Sequence, residues 1–337
     1  MITISTDKKM QMPKPCVLAV GKFESIHLGH RMLIANMAQL AKSAGLASAL
    51  VVFTPHPYRV LSDPGYKPLL TNCERAHMVE GLVDYLLEYP FDTDFAALSP
   101  SEFCRKIFED LQAKMVIVGE EGYRFGRNRM GTVDFLKQIA RNYDAEVHVA
   151  TPLTTMDKSP SAMAGMRFAS ANHKWGHSTQ GTPLAEDKTS TQAIRNLLSE
   201  NKFLEACSLL GYPFFVMGKV TPGQQLGRTI GFPTVNLYPE ENKFLPQDGV
   251  YGTHIIIDSH IYKGITNVGK RPTVENQKAP RSVETHLLDF NGGELYCKHI
   301  RVEFLHFIRP ERRFESLDAL KAQITKDMLL NKILHRV

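Results

Sequence analysis

Two histidines flank a glycine in "FESIHLGH", residues 23–30, one residue after the apolar run "VLAVG". His27 and His30 stand three apart where a strand signal gives way to a helix signal. There both can face one anion and donate hydrogen bonds as negative charge builds. The start of a helix adds unpaired N–H groups and partial positive charge, which suit phosphate oxygens. Gly29 lets a ligand approach the backbone closely. Zinc is the weaker chemistry for these histidines, because no third or fourth ligand is spaced nearby. Three other stretches carry polar groups of the same kind. "TPHP" (54–57) sets His56 between two prolines. "VGEEGYRFGRNR" (118–129) carries Arg124, Arg127 and Arg129. "TSTQAIR" (189–195) opens a helix with Ser190, Thr191 and Arg195.

The second half holds a different kind of chemistry. In "GKVTPGQQLGRTIGFPTVNL" (218–237), four glycines and the basic residues Lys219 and Arg228 precede Pro-Thr-Val-Asn. Backbone around Gly218, Gly227 and Gly231 can wrap phosphates with its N–H groups. Thr234 and Asn236 are two apart, hence on one face of a strand. Both offer neutral oxygen ligands that suit Mg²⁺ beside ATP phosphates.

Positioning these groups needs two architectures. Residues 15–21, 47–53, 114–119 and 145–150 read as short buried strands separated by helices, including helical patterns at 30–45, 72–86, 99–112 and 132–143. Gly45 can cap the first helix. Such alternation predicts a parallel sheet covered on both faces, with ligands at the carboxyl ends of its strands. Residues 151–188, rich in Ser, Thr, Ala and Gly, lack a period and read as an irregular insertion. From 214 onward six short alternating segments, broken by Gly, Pro, Asn and Asp turns, predict a small antiparallel barrel. An amphipathic helix opened by Ser316 closes the chain.

Composition narrows the partners. The 337 residues suffice for about two domains. A hydrophobic fraction of 43% with 22% charged residues is that of a globular protein. The formal net charge of +5 suits anionic small molecules; the one basic cluster, "RPERRF" (309–314), is too short for a nucleic-acid surface. Five scattered cysteines without a CxxC pair argue against a disulfide framework and a zinc site. No apolar run reaches the ~18 residues of a membrane span, so a cytoplasmic chain is expected. The sequence does not reject a homo-oligomer.

With these motifs assembled, the first part resembles the nucleotidyltransferase domain of the bacterial bifunctional riboflavin kinase/FAD synthetase family. The likeness rests on the Gly21–His30 turn, "TPHP", "GEEGYRFG" and the helix start ending in Arg195. Where that family has Asp-Gly, this chain has Glu24-Ser25. The resemblance implies a Rossmann-like fold that joins FMN and ATP into FAD and releases pyrophosphate. His27 and His30 would be catalytic, with Gly21, Phe23, Gly29, His56, Arg127, Ser190, Thr191 and Arg195 on ATP or its phosphates.

Residues 214–327 resemble the family's riboflavin kinase domain, through "GKVTPGQQLGRTIGFPTVNL", "GITNVGKRPTV" and "SVETHLLDF". The resemblance implies a six-stranded barrel that uses MgATP to turn riboflavin into FMN. By it, Thr234 and Asn236 hold Mg²⁺ and Glu284 is the general base. Gly218, Lys219, Gly227, Arg228 and Gly231 contact ATP, and Asn267 and Arg271 line the flavin site. The expected layout is an FMN adenylyltransferase domain at 1–188, a helical linker at 189–212 and a riboflavin kinase domain at 213–337. The rival expectation is a monofunctional riboflavin kinase whose first domain only binds flavin or nucleotide.

Overall fold

The computed structural model describes residues 1–5, 11–119, 122–150, 190–223, 226–270 and 280–334. The expected insertion at 151–188 and Arg271 lie outside these residues, as does the side chain of Arg228. The chain forms two compact units, Met1–Lys188 and Thr189–Val337.

The first unit is a six-stranded parallel sheet: β1 (Ile2–Ser5), β2 (Cys16–Val20), β3 (Ala47–Thr54), β4 (Tyr85–Pro90), β5 (Ala113–Val118) and β6 (Glu146–Val149). Their order across the sheet is β1-β4-β3-β2-β5-β6. Helix α1 (Leu28–Ala44) returns the chain from β2 to β3 and ends at Gly45 in the left-handed conformation, φ 66°. β2 is buried along its whole length, as a central parallel strand must be. The chain winds from β2 through β3 to β4 on one side, then crosses to β5 on the other. The sheet order therefore reverses at β2, and the crevice at its carboxyl end is where such sheets bind ligands.

Four strands were expected here, and six are present among the described residues. The helical pattern over 72–86 ends early: α3 (Asn72–Val79) stops ahead of Gly81, φ 75°, and Tyr85 onward joins the sheet as β4. Pairing with both β1 and β3 and burial of Leu86 and Leu87 override the local helical period. Ile2–Ser5 is too short for its own pattern to show, and forms only because β4 offers an edge. The remaining α-helices among the described residues are α2 (Pro57–Leu61), α4 (Thr93–Ala96), α5 (Pro100–Arg105), which runs on into a π-helical turn (Lys106–Asp110), and α6 (Val133–Ala140).

The second unit opens with α7 (Thr191–Ser199) and α8 (Phe203–Leu210). The segment expected as a linker packs within this unit: Phe203 meets Tyr251 edge-on at 5.6 Å and stacks on Phe304 at 6.1 Å. The six expected strands are present as β7 (Phe215–Lys219), β8 (Thr234–Leu237), β9 (Gly249–Ile257), β10 (His260–Lys270), β11 (Arg281–Leu287) and β12 (His299–Pro310). All pair antiparallel in the order β7-β12-β9-β10-β11-β8. A bridge between Thr221 and Asn236 draws the two edges of the curled sheet together. A short helix, α9 (Leu226–Thr229), lies in the glycine-rich stretch. The last helix, α10 (Leu317–Leu334), is capped by Ser316 and docks through polar groups. Arg309 grips Asp327 at 3.0 and 2.9 Å, and Asn331 donates to the Gly264 carbonyl at 3.2 Å. No helix among the described residues is long and apolar enough to cross a membrane.

Candidate active sites

The turn after β2 is built by its own odd residues. Phe23 and Ile26 both take positive φ, 43° and 42°, and both are buried, which folds the turn back on itself. His27 is the N-cap of α1: its Nδ1 accepts the His30 N–H at 3.3 Å. The two imidazoles stack at 3.9 Å, and the Phe23 ring lies 5.0 Å from His30. A Cβ on Gly29 would stand 3.1 Å from the His27 ring, and one on Gly21 would stand 3.0 Å from the Phe23 ring. The expected residues Gly21, Phe23, His27, Gly29 and His30 are thus one packed group.

Burial sets the charge of this group. It lowers His27 to about 4, outweighing a backbone hydrogen bond that acts the other way. It lowers His30 well below the usual imidazole value, and the neighbouring His27 adds to that. Both rings are therefore neutral near pH 7, and each carries one N–H. His27 uses Nδ1 as acceptor, so its proton is on Nε2. His30 Nδ1 is buried without a hydrogen-bond partner. That orphaned polar atom at a helix N-terminus fits a site completed by a ligand.

His56 reaches the same turn. It caps α2 by accepting the Tyr58 N–H at 3.2 Å, and its Nε2 lies 3.3 Å from Glu24. Glu24 also accepts from Tyr66 at 2.7 Å and from the Leu69 N–H at 3.2 Å. Arg75, buried on α3, reaches the Lys22 carbonyl at 3.5 Å and Asn72 at 2.7 Å. Burial lowers Arg75 to about 10, against the opposing fields of Glu88 and Glu24. Sequence reading noted Glu24 only as a departure and missed Tyr66 and Arg75. Their stretches carry no motif, and only the fold brings them to the turn.

Arg127 is exposed on a loop whose base is the reciprocal Phe125–Gly131 backbone pair, at 3.1 and 2.9 Å. Gly126 in that loop has φ 69°, and a Cβ there would meet the Pro100 backbone at 2.9 Å. Ser190, Thr191 and Arg195 stand on α7 in the second unit. Ser190 caps the helix by accepting the Ala193 N–H at 3.2 Å, and the Arg195 guanidinium lies 4.9 Å from the Phe244 ring centre.

In the second unit the register makes the site. Glu284 on β11 is directly opposite Asn236 on β8 and Asn267 on β10. The three form one row across three adjacent strands, on one face. The alternate positions turn inward: Thr253, Thr266 and Thr285 are fully buried and linked at 2.8 and 2.8 Å. Thr234 pairs with His286 in the next position on the row's face. Ser282 donates to Glu284 at 3.3 Å, and Asn267 donates to Glu311 at 3.1 Å. Glu311 comes from "RPERRF", which sequence reading treated only as a charge cluster.

The glycines frame this row tightly. A Cβ on Gly227 would fall 2.2 Å from the Phe232 carbonyl oxygen, and one on Gly223 would fall 2.3 Å from the Asn236 amide. Gly231 takes φ 85°, and Gly218 and Lys219 lie at the end of β7, beside the closing bridge. Among the described residues no group of three His, Cys, Asp or Glu could hold a metal ion. The available donors are neutral oxygens on Thr234 and Asn236, a set that fits Mg²⁺ sharing its shell with phosphates and water.

Comparison with known proteins agrees with this division. A FAD synthetase family profile matches residues 9–163, and a riboflavin kinase profile matches 210–334. The Escherichia coli K12 bifunctional riboflavin kinase/FMN adenylyltransferase is 33% identical over 318 residues, covering 93% of this chain and 91% of that protein. The Listeria monocytogenes protein of the same name is 31% identical over 327 residues, covering 96% and 93%. The crystal structure of a macrolide-efflux protein from Streptococcus pneumoniae superposes with a TM-score of 0.76 at 27% identity, covering 98% and 99%.

Proposed function

The chain belongs to the family of bifunctional riboflavin kinase/FMN adenylyltransferases, and from that premise we propose which residues carry each reaction. It phosphorylates riboflavin to FMN and adenylylates FMN to FAD, using ATP and a divalent metal. The rival reading, a kinase with a non-catalytic first domain, loses its ground because the FAD synthetase profile matches as well.

We assign the kinase to 213–337 and the adenylyltransferase to 1–188. The observation that carries the kinase assignment is the row Asn236–Glu284–Asn267. Glu284 takes the proton of the riboflavin 5′-hydroxyl as that oxygen attacks the γ-phosphorus and ADP leaves. Thr234 and Asn236 would hold Mg²⁺, which supplies charge neutralisation on the ATP phosphates when bound. By the family resemblance, backbone at Gly218, Gly227 and Gly231, with Lys219 and Arg228, serves those phosphates. Asn267 and Arg271 orient the flavin.

In the first unit no protein nucleophile is needed. An FMN phosphate oxygen attacks the α-phosphorus of ATP, and the bond to the pyrophosphate oxygen breaks. His27 and His30 donate hydrogen bonds as charge builds on the phosphate oxygens. Gly21, Phe23 and Gly29 shape the turn for ATP. His56 and Arg127 serve the ATP phosphates, whereas the expected partners Ser190, Thr191 and Arg195 belong to the second unit and are given no role in this step. Small molecules rather than nucleic acid are its partners, and the five free thiols fit a reducing cytoplasm.

Pure protein incubated with FMN and MgATP, without riboflavin, tests the harder half. Equal amounts of FAD and pyrophosphate are expected. Bound FMN without turnover would overturn the adenylylation reading.

A further inference from the structure

Glu24 is 3% exposed, yet its carboxylate collects groups from three places in the chain. Tyr66 Oη donates to Oε2 at 2.7 Å, and the Leu69 N–H donates to Oε1 at 3.2 Å. His56 Nε2 stands 3.3 Å from Oε2. His56 Nδ1 accepts the Tyr58 N–H, which turns the opposite edge of the ring toward Glu24. Tyr66 and the Leu69 N–H each donate, to different oxygens of the carboxylate. An ionised carboxylate has only acceptors and matches them, whereas an amide would turn an NH₂ toward at least one of them.

His56, Tyr66 and Leu69 all belong to the segment between β3 and α3. The Tyr66 ring stacks on His56 at 4.9 Å and packs against Tyr58 at 4.8 Å, so tyrosine, histidine and carboxylate form one unit. A second tether runs alongside. Asn72 donates to Thr54 at 3.1 Å, and Arg75 links Asn72 to the carbonyl of Lys22. Segment 54–75 is therefore fastened twice to the turn that holds His27 and His30. The Glu24 fastening lies beside His56, whose ring stacks on Tyr66.

We propose that Glu24 is a positioning residue for FMN adenylylation. It clamps segment 56–69, and through the Tyr66 ring the stacked His56, against the His27–His30 turn. This rests on the reading of the first unit as the adenylyltransferase. Glu24 orients a group and does not touch nucleotide, so its loss appears in kcat more than in KM.

The test uses the full chain with Glu24→Gln, Tyr66→Phe and both together. FAD and pyrophosphate are measured from FMN and MgATP, with riboflavin phosphorylation as the internal control. Glu24→Gln is expected to lower kcat about 30-fold with both KM values within about twofold, and Tyr66→Phe to lower kcat about fivefold. The double variant should be no slower than Glu24→Gln alone, because both changes break one unit. Kinase activity should be unchanged. A kcat within twofold for Glu24→Gln, a loss confined to KM, or additive losses would overturn the clamp. Should Glu24→Gln fail to fold, Tyr66→Phe alone decides, and an unchanged kcat overturns it. An unsubstituted chain that makes no FAD would instead overturn the adenylylation reading.

Discussion

At the scale of single residues, charge state is the decisive property. Glu284 is half-buried in its row, with Ser282 beside it and asparagines on both sides. Replacing it by Gln removes the base and little else. Riboflavin phosphorylation should fall about 10²–10⁴-fold, while FAD formation from supplied FMN is unaffected. An equal loss in both activities of a folded variant would sink the two-site assignment. His27 carries the pH prediction. Its folded value, about 4, lies below the unfolded 6.5, so the unfolded chain binds the proton first as pH falls. The stabilisation from neutral His27 is present above pH 6.5 and lost progressively as pH falls through about 4. Its size is on the order of 3 kcal/mol. Calorimetry of the first unit's transition between pH 7 and pH 4 should show the decline, and His27→Gln should flatten it.

At the scale of elements, the glycines decide what can pass what. Four glycines near the kinase motif look alike in sequence, but their roles differ. Gly231 needs its positive φ. Gly227 instead has the Phe232 carbonyl where its Cβ would be, and the Phe232 N–H returns a bond to Gly227 at 2.7 Å. The clash is with backbone, so it cannot be relieved by a side-chain rotation. Gly227→Ala should therefore open the turn that leads into Thr234 and lower riboflavin phosphorylation at least about tenfold. Adenylylation of FMN is the built-in control, and a variant with full kinase activity would refute the role given to this turn. The same scale explains a sequence misreading. The 72–86 stretch has a helical period, yet its second half is worth more as β4, where Leu86 and Leu87 are fully buried between two strands.

At the scale of the whole molecule, two units with separate chemistry predict complementation. A Glu284→Gln chain retains adenylylation, and a His30→Ala chain retains phosphorylation. Neither should carry riboflavin through to FAD. A mixture of the two should, because FMN released by one chain serves the other. A mixture that fails, although each chain performs its own step, would mean that FMN does not leave the chain that makes it.

Much of this protein was legible in its sequence because local rules decide it. Strand–turn–helix alternation gives the parallel sheet, Gly45 stops α1, and six turn-bounded segments become the antiparallel sheet. The HxGH turn and the Pro-Thr-x-Asn strand name their own chemistry, since residue type and spacing suffice for it. Other features needed the tertiary structure. Neutrality of His27 and His30 comes from burial, which no spacing encodes. The Asn236–Glu284–Asn267 row joins residues distant in sequence through strand register, which antiparallel pairing sets. Glu24 looked like a simple departure in a motif. Its place among Tyr66, His56 and the Leu69 N–H exists only because the chain end of β3 and the segment before α3 fold back onto the turn after β2.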